Sequence, residues 1–313
     1  MPLLGYGKKK LDTKPYNMFT IQSTIEEGLP IIILQNKSNA TSAKISLNEG
    51  GRLKDLKIKT IILIKEISEF DYSASYASSI LYPFVGRMSE GKYSYQNKEY
   101  QLNCNDNSNN ALHGLVYNKK FNVVKETKNI NCASVVINYE ETNENLGFPY
   151  KFNLQLTYTL FENEIRLSVI IKNIDHKTFP FTLGWHPYFF CDKLSRSTLE
   201  FESNQKIKFN ENLITEKVFA HKTEKHFKIK DQQLDDCFIL NANTIDFLTP
   251  DYHIKISSNQ SENYLQLYTP KDLPLIAIEP MTGVSNSFNN NIGLQQLAPN
   301  QKHSTTWNVK LNS

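Results

Sequence analysis

Phe152-Asn153-Leu154-Gln155-Leu156-Thr157-Tyr158-Thr159-Leu160-Phe161-Glu162-Asn163-Glu164-Ile165-Arg166-Leu167-Ser168-Val169-Ile170-Ile171 is the stretch that decides the fold. Leu154, Leu156, Tyr158 and Leu160 alternate with polar residues, Glu162-Asn163 offers a turn, and Ile165, Leu167, Val169 and Ile171 return with the same period. Successive side chains of an extended chain point to opposite faces, so the pattern predicts a hairpin with one buried face.

Working outward, Tyr93 and Tyr95 pair with Tyr100 and Leu102 across Gln96-Asn97-Lys98 in a second predicted hairpin. Further runs rich in Ile, Val, Tyr, Phe and Thr predict strands at Ile31–Leu34, Ala43–Leu47, Thr60–Ile64, Ser134–Tyr139, Tyr264–Tyr268, Leu275–Glu279 and Thr306–Leu311. Amphipathic helical stretches are almost absent; one helical turn is expected over Tyr72–Leu81, ended by Pro83 because the residue before proline resists the α region. No linker-like composition break and no repeat of fixed period divides the chain. The expectation is an all-β fold, a large antiparallel β-sandwich with few short helices, as a single domain over residues 1–313 with about 1–18 as a loosely ordered N-terminal extension.

Composition narrows the function classes. Hydrophobic residues make up 40% of the chain, enough for a packed core. The formal charge of +3, from 35 Lys and Arg against 32 Asp and Glu, is too small to point to nucleic acid. The compact basic run Lys8-Lys9-Lys10 reads as a solvated tail. Cys104, Cys132, Cys191 and Cys237 are scattered without a C-x-x-C pair, so they read as free thiols of a reducing compartment and not as metal ligands. No segment approaches the roughly 18 apolar residues that a membrane helix needs, and the first residues lack a signal-peptide core. A cytoplasmic protein acting without membrane or nucleic-acid partners is expected.

Two ionisable residues stand out from their surroundings. His186 falls within Phe181-Thr182-Leu183-Gly184-Trp185-His186-Pro187-Tyr188-Phe189, otherwise aromatic and apolar apart from Thr182. On a strand, Thr182, Gly184 and His186 share one face, and Gly184 leaves space there for a ligand or a neighbouring backbone. Glu279 ends the apolar run Leu275-Ile276-Ala277-Ile278-Glu279, where desolvation raises a carboxyl pKa toward that of a general base. A core histidine bonded to a backbone carbonyl and a strand-end glutamate facing water account for the local sequence equally well. His176, His221, His226, His253 and His303 lie in polar or turn-like stretches and are expected to be exposed. His113 follows the polar loop Asn103–Asn110, Arg87 follows Pro83-Phe84-Val85-Gly86, and Asp235-Asp236 precede an apolar strand, where such acids are ordinarily turn residues.

The order of these pieces is what joins them. Gly50-Gly51-Arg52, Pro83 to Arg87 with Gly91-Lys92-Tyr93, Ala111-Leu112-His113-Gly114, His186-Pro187-Tyr188-Phe189, Leu234-Asp235-Asp236-Cys237-Phe238 and Ile278-Glu279-Pro280-Met281-Thr282-Gly283 follow one another along nearly the whole chain. In that order they resemble the aldose 1-epimerase, or galactose mutarotase, family. The resemblance implies that family's supersandwich and an isomerase interconverting the α and β anomers of a free aldohexose such as galactose or glucose, with no cofactor and no metal. It implies Glu279 as the base on the anomeric hydroxyl and His186 as the acid on the ring oxygen, with Arg87, His113 and Asp235 binding the sugar. Ordinary pKa values of roughly 6.5 for His and 4.3 for Glu would let the histidine be protonated while the glutamate is ionised. Assembly as a monomer or homodimer is expected.

Three departures from the family pattern fall near the sugar. Gly86 stands where many members carry Asn, Leu115 to Phe121 replaces a glycine- and aromatic-rich sequence, and Phe190-Cys191 replaces the common Asn-Leu. The alternatives are a hexose-6-phosphate 1-epimerase, which would need a cluster of basic groups, and a non-catalytic carbohydrate-binding or sensing protein on the same fold. A glycosidase would use two carboxylates such as Asp235 and Glu279 and leave His186 without a role.

Overall fold

The computed structural model describes residues 18–142 and 147–312. The expected N-terminal extension, Lys8-Lys9-Lys10 included, lies outside them as far as residue 17. Within them the all-β expectation holds. Phe152–Phe161 and Glu164–Asn173 form the predicted hairpin, with Leu160 opposite Ile165 and Leu154 opposite Ile171. Leu154, Leu156, Tyr158 and Leu160 are fully buried, as are Leu167 and Val169 to within a percent, so the alternation does carry one face into the core.

This hairpin supplies the third and fourth strands of a nine-stranded antiparallel sheet that also includes Cys132–Glu141, Lys302–Leu311 and His253–Ser258. A second, eight-stranded antiparallel sheet contains Ser203–Phe209, Asp235–Leu240, Asn263–Tyr268 and Leu275–Met281, with Gly184–Trp185 and Ile80–Leu81 continuing it beyond Leu275–Met281. The two sheets face one another: Trp185 stacks on Trp307 at 6.3 Å, and Phe189 meets Phe247 at 6.4 Å. Five strands from Phe19 to Ile64 form a third sheet.

The helical turn is shorter than its composition suggests. Tyr72–Ser75 is helical, capped by the Asp71 carboxylate on Ser73 N and ended at Tyr76, whose φ of 51° is left-handed. Ile80–Leu81 is a strand, paired with Trp185 and Gly184, so sheet pairing and not Pro83 decides the rest of that segment. His253 and His303 are half-buried on strands, not exposed; His253 lies 2.8 Å from Asp246, and His303 packs against Phe181.

The Gly50-Gly51-Arg52 motif is structural. A Cβ on Gly50 would stand 2.7 Å from the carbonyl oxygens of Val116 and Tyr117, and one on Gly51 2.6 Å from Ile137 Cδ1. Gly114 of Leu112-His113-Gly114 is tighter still, with φ +78° and its would-be Cβ inside the carbonyl of Tyr82. Only glycine lets the backbone at Gly50 and Gly114 approach these carbonyls.

Candidate functional site

Residues two apart on the eight-stranded sheet build the floor of the site. Cys237 lies opposite Gln266, and Gln266 opposite Glu279, so these three side chains form one row. Asp235, Tyr268, Ala277 and Tyr188 form the adjacent row. Glu279 therefore lies inside the strand Leu275–Met281 and not at its end. Asp235 likewise opens a strand and is not a turn residue; alternation sends it toward the row of Tyr268 and turns Asp236 to Lys206 Nζ, 2.6 Å away on the other face.

A cavity of about 360 Å³ opens on this floor, and His186, Glu279, Arg87, His113 and Asp235 all line it. Five residues spread over nearly two hundred positions are thus brought together. Tyr188, of the His186-Pro187-Tyr188-Phe189 run, also lines it, as do Tyr76, Phe70, Tyr268 and Gln266, which were not singled out in the sequence. Gln266 had a faint signal, as a polar residue inside the apolar strand Asn263–Tyr268. The others look like core aromatics until the sheet register places them.

His186 follows the strand Gly184–Trp185, and its backbone is clamped to the neighbouring chain: His186 N donates to Ser79 O at 3.1 Å and Ser78 N to His186 O at 2.7 Å. Its ring stacks on Tyr188 with centroids 4.9 Å apart and meets His113 edge-on at 5.0 Å. The space beside Gly184 is filled by protein, since a Cβ there would lie 2.9 Å from Val85 Cγ1 and 3.1 Å from Met281 Cγ. His113 has φ 60° beside Gly114 and packs on Tyr76 at 5.0 Å. The Nδ1 atoms of both histidines are buried without a hydrogen-bond partner among the described residues.

His186 Nε2 lies 3.5 Å from Glu279 Oε1, with His186 4% and Glu279 2% exposed. Burial disfavours either charge: it lowers the His186 pKa to about 4 and pushes the Glu279 carboxyl well above its ordinary value, with the nearby Asp235 charge adding to the latter. The order expected from unperturbed values is therefore reversed. His113 is held well below its usual value by burial, and the charges of His186 and Arg87 act in the same direction. Asp235 stands at the solvent-open side, where Gln266 Nε2 donates to its Oδ1 at 2.7 Å. Arg87 Nε donates to Asp106 Oδ2 at 2.9 Å.

The arrangement sets an imidazole and a carboxyl group 3.5 Å apart, ringed by polar side chains and aromatic faces. Among the described residues no group of three or more His, Cys, Asp or Glu is placed to hold a metal. Among the described residues no helix is long and apolar enough to cross a membrane.

Residues 30–310 match the sequence profile of the family described as aldose 1-epimerase. The uncharacterized protein YihR of Escherichia coli K12 is 25% identical over 281 residues, covering 83% of this chain and 87% of YihR. A galactose mutarotase-like protein from Clostridium acetobutylicum superposes with a TM-score of 0.83 at 18% identity, covering 95% of this chain and 99% of that one. The galactose 1-epimerase of Lactobacillus acidophilus NCFM gives 0.78 at 17% identity, with coverage of 95% and 99%.

Proposed function

The chain belongs to the aldose 1-epimerase family, and from that premise we propose that it interconverts the anomers of a free aldohexose, with Glu279 and His186 as the proton-transfer pair. The observation that carries this reading is their 3.5 Å approach at the floor of a sugar-sized cavity.

Ionised Glu279 takes the proton of the anomeric hydroxyl as C1=O1 forms. The C1–O5 bond breaks, and O5 receives the proton of His186. Rotation about C1–C2 presents the other carbonyl face, and the transfers run backward to close the other anomer. Each opening turns an ion pair into a neutral acid and a neutral imidazole, the arrangement that burial favours. Sugar hydroxyls in contact with Glu279 offset the cost of its charge while the ring is closed. Arg87, His113 and Asp235 hold the remaining oxygens and fix the ring against the pair.

A free sugar is favoured over a phosphorylated one. Among the described residues that line the cavity, Arg87 is the single Lys or Arg, it is already tied to Asp106, and Asp235 and Glu279 share the wall with it. A dianionic phosphate would meet more negative charge than positive. Polarimetry of freshly dissolved α-D-glucose, α-D-galactose and hexose 6-phosphates tests this. Acceleration of free sugars and little of the phosphates is expected; the reverse preference, or no acceleration of any free sugar, overturns it.

A further inference from the structure

The polar loop Asn103–Asn110 has no part in the proton transfers, yet three of its side chains, Asn105, Asp106 and Asn110, are committed to hydrogen bonds. Asp106 Oδ1 accepts from Ser108 N at 3.0 Å and Asn110 N at 2.6 Å, closing the loop on itself. Asp106 Oδ2 accepts from Arg87 Nε at 2.9 Å and Asn110 Nδ2 at 3.3 Å. Asn105 bonds both to Leu112, next to His113, and to the hydroxyl of Tyr76, a cavity residue. Asn110 Oδ1 takes Glu90 N at 3.0 Å, which anchors the loop to the segment after Arg87.

We propose that Asp106 is a positioning residue for the sugar site: its buried carboxylate holds Nε of Arg87 and aims the two terminal amino groups of the guanidinium into the cavity. This rests on the reading of the site given above. The Asp106 side chain is 7% exposed against 26% for Arg87, so the acid lies behind the guanidinium and the sugar meets Arg87 alone. Among the described residues Asp106 is the one side-chain partner of Arg87, and a planar guanidinium held at Nε has its orientation fixed while its far edge stays available. The loop is thus a support for Arg87, Tyr76 and His113, three of the cavity residues that come from outside the eight-stranded sheet.

Asp106→Asn keeps an acceptor for the two loop amides but turns an amide donor toward Arg87 Nε. The expected result is a KM for D-galactose or D-glucose raised about tenfold, with kcat changed much less and the melting temperature lowered by a few degrees, because Arg87 Nε and Asn110 Nδ2 lose an acceptor. In an Arg87→Lys background the same change should add little, because the hold on Nε is already gone. Effects that add in full, or a loss of kcat with KM unmoved, would overturn the proposal. Two measurements do not require catalysis: calorimetric binding of D-galactose, and the Arg87 Nε–H signal in nitrogen-edited NMR of the wild-type protein. That signal should exchange slowly with water; rapid exchange sinks the proposal whether or not Asp106→Asn folds. A wild type that accelerates no sugar while keeping a slow Nε–H signal sinks the enzymatic reading instead.

Discussion

Glu279 Oε1 and His186 Nε2 lie 3.5 Å apart in residues that are almost fully buried, and burial favours the state in which the two together carry one proton. Adding a second proton requires a buried imidazolium beside a neutral acid, which burial defers until the pH falls to about 4. Removing the last proton requires a buried carboxylate beside a neutral imidazole, which burial defers to well above the usual carboxylate range. The singly protonated pair has the proton count that ring opening needs. Activity should therefore persist at pH 5 and fall on the acid side near pH 4. A polarimetric profile of kcat/KM whose acid limb lies near 6.5, the ordinary histidine value, would show that His186 titrates as an open imidazole and that the pair is not coupled this way.

Glu279→Gln separates chemistry from binding and from stability. The amide keeps the shape and removes the base, so kcat should fall about 10²- to 10⁴-fold while the sugar still binds. His186→Asn should behave similarly; full activity in either variant removes its assigned role. The stability effect has a definite sign. A carboxyl whose folded pKa is raised contributes stability that is fully present below its unfolded value and is lost as pH rises through the folded one. Glu279→Gln should therefore raise the melting temperature relative to wild type at neutral and alkaline pH and have little effect near pH 4. A gap that widens toward acid would contradict the raised Glu279 pKa.

What could be read in advance follows from which interactions are local. The hairpin Phe152–Phe161 and Glu164–Asn173 was legible because strict alternation along each strand determines which face is buried. Tyr72–Leu81 was legible only in its first turn, because Ile80–Leu81 is recruited by Gly184–Trp185 about a hundred residues later. His186 and Glu279 were visible as polar breaks in apolar runs, and the order of motifs joined them. Tyr76 and Asp106 were hidden, and Gln266 only faintly marked, for one reason: each acquires its place from a cross-strand or loop partner that local pattern does not identify. The rise at Glu279 was legible from its apolar run, but the fall at His186 was out of reach, since its burial depends on the packing of both sheets.

Arg52 provides a test of the distinction between support and site. It is 2% exposed, its Nε and Nη2 bond Glu49 at 2.9 Å and 2.8 Å, and it also pairs with Glu66. Its guanidinium lies 4.2 Å from the ring centroid of Tyr72, whose hydroxyl lies 2.8 Å from Ser79 Oγ. Arg52→Met fills most of the volume but leaves Glu49 without this partner and Glu66 with Lys54, 2.8 Å away. Removing one member of a buried pair costs about 3–5 kcal/mol, and the partial exposure of Glu66 places the expectation near the lower end, at about 3 kcal/mol by urea denaturation. Adding Glu49→Gln should return part of that loss, because the carboxylate left behind is then neutral. If Arg52→Met costs less than about 1 kcal/mol, the buried cluster contributes little, and the Gly50-Gly51-Arg52 motif would owe its arginine to something other than stability.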